Sequence, residues 1–264
     1  MKIDLTGKHA VVTGSTAGIG FAIAKGLAAS GASVVVNGRT DAKVKQAVEA
    51  LKKELPSAKV EGVAADLATA DGANAFVQRV PQADILVNNL GIFEPKNFED
   101  IPDEDWLRFF ETNVMSGIRM SRAYIPGMKA KDWGRIVFIS SESGLNIPLE
   151  MIHYGMTKTA QIAVARGLAE SLAGTGVTIN SVLPGPTRSE GVIDFFGKMA
   201  KEKGVSHAQM EQDFIAQHRP TSIIQRLASV DEVANMVVYA CSKEASATTG
   251  AALRVEGGLL RSIG

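Results

Sequence analysis

The sequence predicts an α/β fold built on a doubly wound parallel sheet of about seven strands. Short apolar runs typical of buried strands alternate with longer amphipathic stretches typical of helices along most of the chain. The first run leads through a glycine-rich turn into a helix, and polar or glycine residues follow most later runs. No repeat, low-complexity segment or linker interrupts this alternation. We therefore expect the whole chain, 1–264, to form a single domain.

Composition limits the classes of function. The chain has 264 residues, of which 45% are hydrophobic, which is enough for one large core. Its formal net charge is zero, so nothing indicates a nucleic acid or an acidic membrane as a partner. No apolar stretch is long enough to span a bilayer, and the N-terminus lacks a secretory signal. The single cysteine, Cys241, fits a cytoplasmic protein and lies in an apolar run, as a buried side chain would. We also predict no metal site.

The first strand, 9–12, is followed by a glycine turn and a helix over 21–28. Glycines let the backbone approach a pyrophosphate closely, and the helix N-terminus favours its negative charge. The candidates for cofactor binding in this turn are Gly14, Ser15, Thr16, Gly18, Ile19 and Gly20. Many strand–helix connections carry glycine, so the turn indicates a Rossmann-type dinucleotide site only together with its position after the first strand.

The second strand, 33–37, ends without the acidic residue that commonly bonds the ribose of NAD. Arg39 follows instead, and its guanidinium could pair with the 2′-phosphate of NADP. The alternative is a solvated arginine at the start of the next helix. The missing acid favours NADP, and NAD remains the alternative cofactor.

The next two strands, 59–65 and 83–87, alternate with helices over 41–55 and 69–79. This alternation places the residues after each strand at the carboxyl edge of the sheet, where ligands bind. The cofactor candidates there are Asp66, Leu67, Asn89 and Gly91. A structural Asn–Gly turn explains the second pair in part.

A single long helix is predicted over 103–129, with apolar spacing that suggests a core or subunit face. Asn113 lies inside it. Asparagine is a mediocre helix former, and by itself it would pass as a polar surface residue.

The strand over 135–139 leads to Ser141, and a helix to about residue 173 carries Tyr154 and Lys158. Side chains four residues apart lie on one face of a helix. An ammonium near a phenol favours the phenolate, so we expect Lys158 to lower the pKa of Tyr154 and make it an acid–base group. The alternative is a tyrosine and a lysine on a solvated helix face.

The strand over 176–183 again ends at the ligand edge, and a helix over 231–241 and a strand over 252–255 complete the sheet. The cofactor candidates after it are Pro184, Gly185, Thr187 and Ser189. The segment 186–222 mixes apolar and charged residues and is predicted to form one or two short helices that cover the substrate. The alternative is that its apolar residues cover the core permanently.

This set of motifs resembles the short-chain dehydrogenase/reductase family over nearly the whole chain, and within it the 3-oxoacyl-acyl-carrier-protein reductase branch. The residues that carry the resemblance are Thr13, Gly14, Gly18, Gly20, Asp66, Leu67, Asn88, Asn89, Gly91, Asn113, Ser141, Tyr154, Lys158, Pro184, Gly185, Thr249, Gly250, Gly257 and Gly258. Two positions depart from the family pattern. Leu90 replaces the usual alanine and would crowd the adenosine side, and Ala17 replaces a basic residue that many NADP-binding members have.

The resemblance implies a role for each catalytic candidate. Tyr154 corresponds to the proton donor or base, and Ser141 to the donor that polarises the substrate oxygen, with Ser140 and Ser143 as competitors for that role. Lys158 corresponds to the residue that tunes the tyrosine and holds the nicotinamide ribose. Asn113 corresponds to the residue that holds a water linking this lysine to solvent.

The resemblance also implies an NAD(P)-dependent oxidoreductase that acts on a small carbonyl or secondary alcohol and assembles as a homo-oligomer, a tetramer. His153 beside the tyrosine points elsewhere on the helix and is expected to be structural or to line the substrate. A catalytically silent dinucleotide-binding sensor on the same fold is the alternative from another class.

Overall fold

The protein forms a parallel sheet covered by helices on both faces in a computed structural model that describes residues 2–263. The first and last residues of the predicted domain lie outside this range. The strands are β1 (His9–Val12), β2 (Ser33–Gly38), β3 (Val60–Ala64), β4 (Ile85–Asn88), β5 (Gly134–Ile139), β6 (Val177–Pro184), β7 (Thr187–Arg188), β8 (Ala228–Ser229) and β9 (Ala252–Val255).

The main sheet has seven parallel strands in the order β3-β2-β1-β4-β5-β6-β9, which confirms the predicted doubly wound fold. Strand β1 pairs with β2 on one side and with β4 on the other, so that Val11 lies between Val35 and Leu86. The chain winds outward in both directions from β1. The carboxyl ends of β1 and β4 therefore form the switch point at which open α/β sheets bind ligands. Strands β7 and β8 form a separate two-stranded pair.

The helices follow the predicted alternation. They are α1 (Gly18–Ala29), α2 (Asp41–Glu54), α3 (Ala70–Arg79), α4 (Asp103–Phe110), α5 (Ser116–Ala130), α6 (Ile152–Ser171), α7 (Glu190–Lys203), α8 (His207–His218) and α9 (Val230–Ala240). Helix α1 begins inside the glycine turn, earlier than predicted. Helix α9 begins with a capping box, in which Ser229 and Glu232 each bond the backbone N–H of the other.

Apolar side chains pack against both faces of the sheet. Helices α1 and α9 bury residues such as Ile23 and Val237 on one face, and Phe76 and Tyr124 pack on the other. All residues of β5 and β6 are buried. Strands covered on both faces read as continuous apolar runs, which is why the sequence identified them.

The helix predicted over 103–129 is interrupted. A π-helical turn, Glu111–Met115, separates α4 from α5, and Asn113 lies in it. Such turns insert an extra residue and are frequent at functional sites. The turn buries Asn113 completely, so its interpretation as a surface residue is wrong.

The segment 186–222, named here the covering segment, contains β7, α7 and α8. Its buried apolar side chains include Phe196, Met210 and Ile215, which form a small cluster of their own rather than joining either core of the sheet. Across the described residues, none of the helices combines the length and apolar character needed to cross a membrane.

Candidate functional site

Four loops meet at the carboxyl edge of the sheet, after β1, β4, β5 and β6. A Cβ added at Gly18 would lie 3.3 Å from the Cβ of Ser189, so the glycine turn touches the loop after β6. A Cβ at Gly91 would lie 3.5 Å from Lys158 Nζ and 3.4 Å from Asn113 Oδ1. The loop after β4 therefore borders both the glycine turn region and the predicted catalytic residues.

The glycine turn has the backbone conformation that its sequence suggested. Gly14 and Gly18 have φ values of 59° and 56°, in the left-handed region that favours glycine. At Gly20 a Cβ would approach Asn89 Nδ2 to 2.4 Å, so a side chain there would displace the loop after β4. The glycines therefore let neighbouring loops pack against the turn, and the half-buried backbone of Gly14 and Gly18 lies at the N-terminus of α1, where a pyrophosphate is favoured.

Ser15 braces the turn from inside. It is fully buried, its hydroxyl donates to the Val12 carbonyl at 2.6 Å, and it accepts from the Asn37 N–H at 3.0 Å. Asn37 Oδ1 in turn accepts from the Gly14 N–H at 3.2 Å. From the sequence, Asn37 was notable only because it stands where NAD-binding proteins commonly have an acidic residue. In the structure it supports the glycine turn. The Ser15 side chain therefore holds the turn in place and does not face the open edge.

Arg39 lies at the end of β2, beside the glycine turn. It is exposed, and within residues 2–263 its guanidinium makes no hydrogen bond or ion pair. The Thr16 side chain packs against Gly38, where a Cβ would approach it to 2.5 Å. Thr16 and Arg39 thus lie at the same edge, with the guanidinium free to meet an anion.

The other cofactor candidates differ in their burial and in their hydrogen bonds. Asn89 Nδ2 donates to the carbonyls of Thr13 and Gly14 at 3.0 and 2.9 Å, which ties β4 to the glycine turn. Asp66 is exposed and accepts from the Ala68 N–H at 3.1 Å. Of the remaining candidates, Leu67 is buried and Ile19 is half-buried, and the neighbouring Leu90 packs beside Gly14. Pro184 ends β6, Gly185 follows it, and Thr187 begins β7.

Ser141 and Tyr154 face each other across the crevice between β5 and α6. Ser141 follows β5 and is 8% exposed, and Tyr154 lies half-buried in the first turn of α6. Of the competitors, Ser140 donates to the Lys158 carbonyl and Ser143 to the Glu142 carboxylate. Of the three serines, Ser141 is the one that interacts with the phenol, and this interaction lowers the pKa of Tyr154.

The predicted direction of the tyrosine pKa is wrong for the protein as it stands. Withdrawal from water raises the pKa of Tyr154, and the interaction with the Ser141 hydroxyl opposes this rise only in part. Lys158 Nζ lies 5.5 Å from the centre of the Tyr154 ring. Its hydrogen bonds go to the Ile139 carbonyl at 2.9 Å and to Gln161 Oε1 at 3.1 Å. The ammonium is therefore not aimed at the phenol oxygen.

Lys158 itself is strongly affected by burial. It is 5% exposed, and burial lowers its pKa from 10.5 to about 7. Its two hydrogen-bond acceptors are uncharged, so neither compensates the cost of burying an ammonium as a carboxylate would. The charge of Lys158 can therefore change near neutral pH.

Gln161 joins Lys158 to Asn113. Its Nε2 donates to the main-chain carbonyl of Asn113 at 2.6 Å, while its Oε1 accepts from Lys158. The Asn113 side chain is occupied elsewhere, with bonds to the Ile92 backbone and to Thr157 Oγ1. Sequence reasoning missed Gln161, although its place three residues after Lys158 put it on the same helix face.

Two further titratable side chains are buried. His153 is fully buried 4.0 Å from the Phe109 ring, burial lowers its pKa, and its ring nitrogens bond to no group in the described part of the chain. It packs away from the crevice, as expected for a structural side chain. Burial raises the pKa of the Cys241 thiol to about 12, which disfavours the nucleophilic thiolate.

Comparison with known proteins supplies the family context. The short chain dehydrogenase family model matches residues 8–199. The chain is 48% identical to an uncharacterized oxidoreductase of Bacillus subtilis, YvaG, over 100% of both chains. It is 34% identical to a D-beta-hydroxybutyrate dehydrogenase of Cupriavidus necator, covering 96% of this chain and 98% of that one. Its structure matches L-sorbose reductase from Gluconobacter frateurii, solved with NADPH and L-sorbose, with a TM-score of 0.94 and 32% identity over 100% of both chains.

Proposed function

Because the chain belongs to the short-chain dehydrogenase family of NAD(P)-dependent oxidoreductases, we propose that it transfers a hydride reversibly between NADP(H) and a carbonyl or secondary alcohol. The observation that carries this proposal is the convergence of Ser141, Tyr154 and Lys158 on one crevice beside the glycine turn. Ser141, at the end of β5, offers a hydroxyl donor. Tyr154 and Lys158, on one face of α6, offer a phenol and an amine whose pKa burial lowers.

In the proposed mechanism, Tyr154 gives its proton to the carbonyl oxygen during reduction and takes it back during oxidation. The Ser141 hydroxyl donates to the same oxygen and stabilises the negative charge that develops on it. Lys158 contributes positive charge near the phenol and binds the nicotinamide ribose. Gln161 and the Asn113 carbonyl hold Lys158 in position.

The residues fit a dinucleotide. Gly14 and Gly18 are half-buried and Gly91 is exposed, so their backbone is accessible beside the N-terminus of α1 and beside Lys158. When bound, the nicotinamide supplies or accepts the hydride. We propose that the glycine turn, Asn89, Gly91 and the loop 184–189 hold this cofactor, with Ser15 and Asn89 acting chiefly through the backbone they support.

NADP is favoured over NAD by Arg39. The residue at the end of β2 that would bond a ribose hydroxyl, Asn37, is buried and bonded to the carbonyls of Val63 and Ala65. The exposed guanidinium of Arg39 is suited to a phosphate instead. The NADPH complex of the sorbose reductase supports the same choice, and Ala17 at a position often basic in NADP enzymes weighs against it.

The covering segment is proposed to close over the substrate, because its apolar side chains pack mainly on one another. A cytoplasmic location and a tetrameric assembly stay predictions from the sequence and the family.

The decisive experiment is a screen of carbonyls and alcohols with NADPH, NADP, NADH and NAD, followed at the nicotinamide absorbance. It should include 3-hydroxybutyrate, L-sorbose and gluconate, which are the compounds named for relatives or structural neighbours. We expect turnover with the NADP pair that is lost in Tyr154→Phe. Cofactor binding with no turnover of any substrate would instead indicate a silent sensor.

A further inference from the structure

A buried carboxylate lies directly against the proposed catalytic serine. Glu142 is 3% exposed and follows Ser141 in the chain. The Ser141 hydroxyl donates to Glu142 Oε2 at 2.7 Å, and the Ser143 hydroxyl donates to the same oxygen at 2.5 Å. The reaction proposed above gives this carboxylate no role.

The charge that balances Glu142 comes from the covering segment. Arg219, just after α8, is 8% exposed, and its Nε donates to Glu142 Oε1 at 3.1 Å. Its Nη1 contacts Glu150 Oε1 at 3.4 Å and the His218 carbonyl at 2.7 Å. Its guanidinium lies 5.7 Å from the centre of the Phe214 ring. The covering segment thus places a buried cation on the loop that carries the serine.

We propose that Glu142 and Arg219 form a positioning pair for the reaction. Glu142 holds the Ser141 hydroxyl, and Arg219, which the covering segment carries, offsets the charge of Glu142 so that a bound substrate oxygen can compete for the serine proton. This inference rests on the proposed function. It links the covering segment to the catalytic serine through a buried ion pair.

The Ser141 hydroxyl has a single proton to donate. In this arrangement that proton points to Glu142, while the Ser143 N–H donates to the serine oxygen at 3.1 Å. A serine that donates to Glu142 cannot donate to a substrate at the same time. An ionised carboxylate without a counter-ion is a strong acceptor and would keep the proton. Because Arg219 also donates to this carboxylate, it makes Glu142 a weaker acceptor for the serine proton.

The pair also acts on the phenol. The negative charge of Glu142 raises the pKa of Tyr154, and the positive charge of Arg219 lowers it. The other charged groups nearby are Lys158, whose Nζ is 5.5 Å from the Tyr154 ring centre, and Glu150, which is partly exposed beside Arg219. Loss of one partner should therefore shift the pH dependence, and loss of both should largely restore it.

The test compares Glu142→Gln, Arg219→Met and the double variant by the pH dependence of alcohol oxidation. Arg226→Met serves as the matched control, because Arg226 forms an exposed pair with Glu232 at 2.8 Å, away from the crevice. We expect the midpoint of the rising limb to fall in Glu142→Gln and to rise in Arg219→Met, by about half a unit to one unit each. The double variant should return close to the parent, and Arg226→Met should not move.

Arg219→Met leaves the buried Glu142 carboxylate without its Arg219 partner and could fail to fold. Glu142→Gln and the double variant leave no buried carboxylate unpaired, so these two variants are sufficient to test the inference. Coincident midpoints for the parent, Glu142→Gln and the double variant would overturn the inference, even if the variants lose rate. Failure of the proposed function looks different, since the parent would then show no turnover that depends on Tyr154.

Discussion

The side-chain oxygen of Gln161 accepts a hydrogen bond from the Lys158 ammonium, 3.1 Å away. The same amide donates to the Asn113 carbonyl, which projects from the π-helical turn between α4 and α5. Because both ends of the amide are used, Gln161 fixes the spacing between helix α6 and that turn. The position of Lys158 is thereby tied to a distant stretch of the chain rather than to its own helix alone.

Replacing Gln161 by Met should destabilise the protein and lower its activity. The substitution keeps the side-chain volume but leaves the Asn113 carbonyl and one Lys158 donor unsatisfied in a buried place, which costs about 1–3 kcal/mol. Urea unfolding measures the loss, with Gln46→Met as the control, because Gln46 is exposed on α2. Equal stability of the two variants would show that the bridge contributes nothing.

Lys158 should make stability depend on pH. Its pKa is about 7 in the folded protein and near 10.5 when unfolded, so between these values the unfolded chain binds more protons. The free energy of unfolding should therefore rise with pH through this window, by up to about 1.4 kcal/mol per pH unit. Lys158→Met should lack this rise, whereas Lys53→Met on the exposed face of α2 should keep it. A difference between the parent and Lys158→Met that is constant from pH 7 to 10 would contradict the low pKa.

Arg39→Ala should weaken NADPH binding much more than NADH binding. A charge-assisted contact to the 2′-phosphate exists only with NADPH, and its loss corresponds to roughly tenfold or more in affinity. Fluorescence titration with both cofactors measures this, with Lys43→Ala as the control for a nearby exposed charge. Equal weakening of both cofactors, or tighter NADH binding by the parent, would favour NAD.

The covering segment should exchange its amide hydrogens faster than the sheet in the free protein. Helices α7 and α8 pack mainly on their own cluster around Phe196 and Ile215, so they can open without disturbing the sheet. Cofactor and substrate should increase their protection, while β5 and β6 stay protected throughout. Uniform high protection in the free protein would mean that the segment is a fixed part of the core.

Much of the fold was predictable because its signals are local. Strand β5 is buried and appears as the apolar run 136–139, and Tyr154 and Lys158 share a helix face by spacing alone. The sequence also placed Ser141 at a strand end. Each of these inferences needed only neighbours in the chain.

The parts that the sequence did not predict depend on contacts between distant residues. The π-helical turn at Asn113 is bridged by Gln161, and Glu142 is neutralised by Arg219 from another part of the chain. The direction of the Tyr154 pKa was wrong because burial, which the tertiary structure decides, raises it. Patterns among neighbouring residues do not show which distant residues come into contact.

Tyr154 is proposed to carry the proton of the reaction. Tyr154→Phe removes only the hydroxyl and keeps the ring beside Phe93, with which it packs edge to face at 6.5 Å between centroids. If Tyr154 carries the proton, turnover should collapse while folding and cofactor binding survive. Ser141→Ala should cost less, roughly 3 kcal/mol in activation free energy, because it removes one donor to the substrate oxygen. Steady-state rates, with cofactor titration and thermal unfolding as controls, separate these effects. A Tyr154→Phe protein that turns over a good substrate at a near-normal rate would exclude the mechanism, because no other phenol is proposed to reach the crevice.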